Sequence, residues 1–227
     1  MRRVVFLVLI LISIWLRSLS LVSSQSYHFY NDDDQPLPQY ERIYDELVKY
    51  FQGCVPQKIK VIPIIGKVSR FDHQKERILI GNYALTNDPD GVIAHESCHL
   101  CMANYTKGAS VREEFRFIDE GFAEIFQNIV NDRLEEYKSE ALAVAVVQYL
   151  KSNLSLVKAQ KWSEYFGNPE MQTNFYAYPV GASFVFFVLD TYGMEGFFAF
   201  VKDLGQTVNL DETFQNLFQK KLSAMEK

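Results

Sequence analysis

Two stretches of this 227-residue chain decide its organisation: AHESCHL at residues 94–100 and FIDEGFAEIF at residues 117–126. His95 and His99 are four residues apart, so a helix places both imidazoles on one face, about 5–6 Å apart at Cβ. Two imidazoles at that spacing can bind one metal ion, and zinc that acts in hydrolysis needs a third protein ligand and one open position. Glu120 in the second stretch is the natural third ligand. We therefore predict that His95, His99 and Glu120 bind Zn²⁺.

The residue after the first histidine indicates the chemistry. Glu96 completes the pattern H-E-x-x-H, in which the glutamate is the general base of a metalloprotease. Two neutral imidazoles and one carboxylate leave zinc with a net charge of about +1, so that a bound water has a pKa of about 7. Glu96 is expected to take the proton of this water and to pass it to the leaving amine.

The composition predicts a globular domain and excludes some partners. Hydrophobic residues make up 48% of the chain and aromatic residues 15%, which is enough for a core and unlike a disordered protein. The formal net charge of −5 at pH 7 provides no basic surface for nucleic acid or an anionic membrane. We expect a monomer that acts on a peptide or protein substrate.

Residues 1–24 have the pattern of a signal peptide. Two arginines precede the apolar run VVFLVLILISIW at residues 4–15, and small residues follow it. The run is shorter than the roughly 20 residues that cross a membrane, which favours cleavage before Gln25. An uncleaved N-terminal anchor is the alternative. We predict a secreted or periplasmic protein, with membrane contact only through an uncleaved segment.

The remaining chain predicts a small sheet followed by helices. Residues 25–37 are acidic and contain proline, which is typical of a surface linker, and residues 38–227 form a single domain with two lobes around a cleft. An amphipathic helix is predicted over residues 38–52. Two strands are predicted over residues 58–66, where Pro63 makes part of the strand an edge, and over residues 77–82, with a loop over residues 71–76 between them. This pattern is an α+β fold.

The two stretches that carry the metal ligands have their own helix signals. Asp88 and Pro89 suit the N-cap and the first position of a helix that Gly108 ends. Ser110 and Glu113 have the pattern of a capping box for the next helix. Three further segments are expected in the second half of the chain: a buried helix at residues 139–152, a loop at 168–179 and an apolar helix at 179–193.

Three cysteines leave a rival metal site to be considered. Cys98 and Cys101 are spaced C-x-x-C, but no second such pair completes a set of four ligands. We interpret them as small buried helix residues. Export would also permit one disulfide among Cys54, Cys98 and Cys101, with one thiol left over.

Three segments resemble the gluzincins, a group of zinc peptidases in which a glutamate on the following helix is the third ligand. They are HESCH, DEGFAE and YPVGASFVFFVLDTYG, and together they cover roughly residues 88–130 and 176–195 in the order of that superfamily. The second segment is similar to aminopeptidase N-like enzymes, and the third most resembles the small peptidase MA-like branch.

The resemblance implies a zincin-like fold and further roles at the site. The four residues of the H-E-x-x-H…E pattern keep the roles given above. Tyr178, three residues before Gly181, matches the tyrosine that stabilises the oxyanion, and Tyr176 is a close rival. Glu124, four residues after the third ligand, matches an acid that orients the first histidine in thermolysin-like enzymes.

The expected function is a secreted zinc metallopeptidase. The Gly-x-Met-Glu-Asn type segment with which aminopeptidases bind a free amine is not found, and the region reads RILIGNYAL, which favours an endopeptidase. An extended peptide could pair with an edge strand at residues 77–82. The alternatives are an aminopeptidase, a catalytically silent zinc-bound recognition protein, and a structural protein without metal.

Overall fold

A computed structural model describes residues 27–66, 68–152, 156–165, 174–207 and 209–220. The strands are β1 (Phe29–Tyr30), β2 (Ile59–Ile64), β3 (Arg70–Asp72) and β4 (Arg77–Gly81). The α-helices are α1 (Glu41–Tyr50), α2 (Asn82–Asn87), α3 (Pro89–Tyr105), α4 (Arg116–Val130), α5 (Leu134–Ser152), α6 (Leu156–Ala159), α7 (Trp162–Tyr165), α8 (Asn174–Thr207) and α9 (Leu210–Phe218). The predicted α+β class, with a small N-terminal sheet and a mostly helical second half, is confirmed. The predicted signal peptide lies outside the described residues.

The four strands form one sheet in the order β1-β2-β4-β3, in which β3 alone is antiparallel to its neighbour. The two predicted strands are present as β2 and β4. Since β1 pairs only with Ile59 and Lys60, the part of β2 that contains Pro63 has a free edge, as predicted.

Three predictions about the sheet are wrong. Phe29 is fully buried in β1, so the expected surface linker at residues 25–37 contributes a strand. The expected loop at residues 71–76 contains most of β3, a strand too short to show a period of two. Because β4 pairs with β2 on one side and β3 on the other, it is not an edge strand, and β3 is the edge strand on that side of the sheet.

Helix α3 has the predicted extent and cap, whereas α4 begins later than predicted. The Asp88 side chain accepts a hydrogen bond from the Gly91 amide at 3.0 Å and caps α3. The capping box is not formed: α4 begins after a 3₁₀ turn at residues 113–115, and the Ser110 hydroxyl has no hydrogen-bond partner within the described residues. The Glu113 carboxylate instead accepts from the Ser163 amide at 3.1 Å.

Helices α4 and α8 cross in direct backbone contact. A Cβ atom added at Gly121 would lie 2.5 Å from the Gly181 carbonyl oxygen and 2.6 Å from the Ala182 nitrogen. Only glycine permits such an approach. The crossing joins the DEGFAE and YPVGA segments, and it brings Tyr178, one turn before Gly181, close to Glu120, the predicted ligand that precedes Gly121.

The second half of the chain departs from expectation at two helices. Helix α5, predicted to be buried, buries a narrow face that includes Tyr137 and Ala141 and exposes much of its apolar surface: Leu142, Val146, Val147, Tyr149 and Leu150. The apolar composition of α5 does not tell which face of the helix is packed. Helix α8 begins at Asn174, within the expected loop. The backbone of Gly193 is not helical (φ 73°, ψ 176°), so the first helical segment ends where it was predicted to end, and a second segment continues across a kink to Thr207.

One segment of the described chain, Ala177–Thr207, is long and apolar enough to cross a membrane by length and composition alone. The core helix of a soluble protein meets the same criterion. Here Val185, Val188 and Phe197 are fully buried within the protein core.

Candidate metal centre

The three predicted ligands converge on one point. The Nε2 atoms of His95 and His99 are 3.0 Å apart, and the Oε2 atom of Glu120 lies 3.2 Å from the first and 3.1 Å from the second. His99 and Glu120 are buried, at 1% and 2% exposure, whereas His95 is partly exposed. Within the described residues, this is the one group of three such side chains that could hold a metal ion.

The size of the donor triangle fits a transition metal. Ligands at about 2.0–2.1 Å from a tetrahedral centre lie about 3.3 Å from one another. The observed donor separations of 3.0–3.2 Å are close to this value. Two imidazole nitrogens and one carboxylate oxygen are a ligand set that zinc accepts. The residues therefore fit the predicted metal, although they do not identify it.

Burial and neighbouring charges act in opposite directions on the pKa values of the cluster. Burial disfavours a charged His99, but Asp119 and Glu120 outweigh this and raise the pKa of His99 well above its usual 6.5. Burial likewise disfavours a charged Glu120, while the two histidines hold its pKa well below the usual range. A proton on the imidazoles thus stands where a metal cation can replace it.

Sequence reasoning missed Asp119, which orients the second histidine. The Nδ1–H of His99 donates to the Asp119 Oδ2 atom at 2.8 Å, and Asp119 is 1% exposed. This bond leaves Nε2 of His99 free to bind a metal, because the partner of one ring nitrogen decides the role of the other. The Phe71 ring of β3 stacks on the His99 ring at 5.2 Å between centroids and fixes its other side. The sequence could have indicated this role of Asp119, because it directly precedes Glu120 and two consecutive carboxylates can contact both nitrogens of one imidazole.

Glu124 lies where it was predicted, beside the first histidine. Its Oε1 atom is 3.6 Å from the Nδ1 atom of His95, within ion-pair range but too long for a hydrogen bond. The same carboxylate and burial raise the pKa of Tyr137. Glu124 therefore acts on His95 through its charge, and more weakly than Asp119 acts on His99.

A cleft of about 410 Å³ opens at His95. Glu96 lines it and is 7% exposed, and burial raises the pKa of this carboxyl although the two histidines oppose the rise. The facing wall comes from the segment before β3 and from α2, with Ser69 and Tyr83 among its residues. Its carboxylates are Asp88, Glu96 and Glu124, and the described lining includes no lysine or arginine.

Tyr178 lines the same cleft as Glu96. Its ring centroid is 6.3 Å from that of His95 and 5.8 Å from that of Trp162. Burial raises the pKa of Tyr178, so the phenol stays protonated and can donate a hydrogen bond. The side chain of the rival, Tyr176, lies outside the described part of the chain.

Arg116 is a second residue that sequence reasoning missed. Its Nη2 atom lies 2.6 Å from the Oε1 atom of Glu120, one helical turn away. An arginine four residues before a glutamate on a helix was a readable signal for this pair.

The cysteines take no part in the cluster. Cys98 and Cys101 are fully buried in α3, where burial raises the pKa of each thiol, and Cys54 is partly buried. All three are free thiols. The interpretation of Cys98 and Cys101 as small buried helix residues is confirmed.

Comparisons of the chain with protein-family models, with curated proteins and with solved structures each find no match.

Proposed function

We propose that this chain is a zinc-dependent metallopeptidase that hydrolyses peptide bonds, with Glu96 as general base. One observation carries the proposal: the donor atoms of His95, His99 and Glu120 meet within 3.2 Å of one another beside a cleft that Glu96 and Tyr178 line. A structural histidine cluster has no need of a carboxyl base and a phenol on the same open side.

The side chains suit the steps of amide hydrolysis. The chemistry that zinc supplies when bound is Lewis acidity, which polarises a carbonyl and makes water nucleophilic near neutral pH. Glu96 takes the proton from the attacking water and returns it to the leaving amine, and its raised pKa brings it closer to the working pH of a general base. Tyr178 donates a hydrogen bond from its phenol to the oxyanion that develops on the scissile carbonyl.

We also propose that the fold is zincin-like and that the chain is related to the gluzincins. The support for both is the sequence resemblance together with the order of the parts: a small sheet, the helix pair α3 and α4, and a later helix that carries Tyr178. We also propose export through residues 1–24 and action as a monomer on peptide or protein substrates, without a nucleic-acid partner.

Of the two peptidase types, we propose that the chain is an endopeptidase. The edge strand β3 lies beside the ligand helix, since Phe71 stacks on His99, and an extended peptide can add to such an edge. The carboxylates of Asp88 and Glu124 favour a substrate with a positive group in the cleft. A free N-terminal amine is such a group, so this observation favours an aminopeptidase as the second candidate.

The test compares wild type with Glu96→Gln. We expect casein hydrolysis that a chelator abolishes and zinc restores, and a loss of at least about 100-fold in Glu96→Gln, which keeps its metal. Peptides with free and with blocked N-termini separate the two peptidase types. Bound zinc without hydrolysis of any of these substrates would instead favour the silent recognition protein.

A further inference from the structure

The carboxylate of Glu120 is divided between two partners. Its Oε2 atom faces the two histidines at 3.1 and 3.2 Å, while its Oε1 atom lies 2.6 Å from the Nη2 atom of Arg116. One oxygen therefore contacts the histidines and the other contacts the arginine.

Arg116 is placed to act on the metal ligand rather than on a substrate. It lies four residues before Glu120 on α4, its side chain is 32% exposed, and it does not line the cleft. An arginine side chain is not deprotonated in proteins. The positive guanidinium therefore lies beside a carboxylate that is 2% exposed.

We infer that Arg116 is a positioning residue that holds Glu120 as a ligand through one oxygen only. The inference rests on the proposed metal site. A carboxylate that is free to turn can bind a metal through both oxygens, which would occupy the position that a catalytic zinc keeps open. By binding Oε1, Arg116 prevents that turn and keeps Oε2 on the histidines.

The charge of Arg116 has a second effect. The carboxylates of Asp119 and Glu124, which lie beside the ligand histidines, make those imidazoles stronger donors. Arg116 withdraws electron density from Glu120 and so acts in the opposite direction. With Arg116 in place, a bound metal would therefore be more electrophilic than with the carboxylates of Asp119, Glu120 and Glu124 alone.

The test measures metal binding instead of hydrolysis. The dissociation constant for Zn²⁺, from competition with a chromophoric chelator, is compared among wild type, Arg116→Met and Arg116→Lys. The control is Arg133→Met, which removes an exposed arginine that directly precedes α5 and pairs with Glu136 in the first turn of that helix. The visible spectrum of the Co²⁺ form reports the coordination of the metal.

We expect Arg116→Met to weaken zinc binding by about 10–100-fold and to change the Co²⁺ spectrum, as is typical of partners of metal ligands, because the loss of a fixed orientation of Glu120 outweighs the greater donor strength of the freed carboxylate. Arg116→Lys should recover part of the affinity, because an ammonium can reach one carboxylate oxygen, and the control should match wild type. In a Glu120→Ala background, Arg116→Met should have no further effect on zinc affinity.

Two results would overturn the inference: wild-type affinity and spectrum in Arg116→Met, or an equal loss with and without Glu120. If Arg116→Met does not fold, Arg116→Gln, which keeps a donor but no charge, is measured in the same cycle. A wild-type chain that binds no zinc refutes the proposed function itself, which distinguishes the two failures.

Discussion

The contact between Gly121 and Gly181 makes a sharp prediction for Gly121→Ala. The new methyl group would lie 2.5 Å from the Gly181 carbonyl oxygen and 2.6 Å from the Ala182 nitrogen. Non-bonded heavy atoms prefer about 3.5 Å, so α4 and α8 must separate by about 1 Å. Overpacking of this kind costs about 3 kcal/mol, the upper end of the usual range, because both obstacles are backbone atoms.

The effects on the site should be unequal. The three ligands lie on α3 and α4, so the zinc affinity of Gly121→Ala should stay within several-fold of wild type. Tyr178 lies on α8 and moves with it, and a displacement of about 1 Å can cost about 100-fold in catalytic efficiency. Hydrolysis should therefore fall far more than metal binding.

The assay combines calorimetry, zinc titration and peptide hydrolysis. A loss of about 3 kcal/mol corresponds to a fall in Tm of about 6–12 °C for a chain of this size. Gly53→Ala is the control, because nothing lies within 4 Å of its Cβ and its positive φ of 75° costs about 1 kcal/mol. Wild-type Tm and wild-type hydrolysis in Gly121→Ala would refute the reasoning about the crossing.

Three further predictions concern single groups of the site. Asp119→Ala should weaken zinc binding by about 10–100-fold and Glu124→Ala by less, because of these two acids only Asp119 makes a hydrogen bond to one of the histidines. Equal losses of zinc affinity in titrations of the two variants would contradict this. Tyr178→Phe should lower kcat by about 100-fold with zinc affinity unchanged, and an unchanged kcat would assign the oxyanion to another donor. Zinc affinity should rise from about pH 6 to about pH 8, because the pKa of His99 is raised and its proton must leave before metal binds; a flat profile would contradict it.

The same pKa shifts predict the stability of the metal-free chain. The charged His99 has a raised folded pKa, so its contribution is complete below its usual pKa of 6.5 and is lost as the pH rises through the folded value. Glu120 has a lowered folded pKa, so its contribution is present above 4.5 and is lost as the pH falls through the folded value. Zinc replaces the proton, so the zinc-dependent rise in Tm should grow with pH.

The ligands could be predicted from the sequence because helical spacing alone determines how His95 and His99 face one another. Their meeting with Glu120 was a prediction from the H-E-x-x-H…E pattern, and the close donor distances agree with it. The partners of the ligands were harder to predict. The rotation of α4 about its axis decides whether Asp119 or Glu120 contacts a given nitrogen of His99. That rotation depends on the packing of α4 against α3 and α8.

The errors in the fold have two physical causes. Strands β1 and β3 have two and three residues, too few to show a periodic pattern, and their partners lie far away in the sequence. The burial of α5 was overestimated because apolar content does not tell how many sides of a helix meet a neighbour. The signals that worked, such as Asp88 before Pro89, act within a single helical turn.

The central claim is that His95, His99 and Glu120 bind one zinc ion for hydrolysis, and the zinc content of the purified chain tests it most directly. We predict about one zinc per chain in wild type and a loss of that zinc in Glu120→Ala. Zinc-free wild-type protein, after purification and exchange in zinc-containing buffer, would contradict the account.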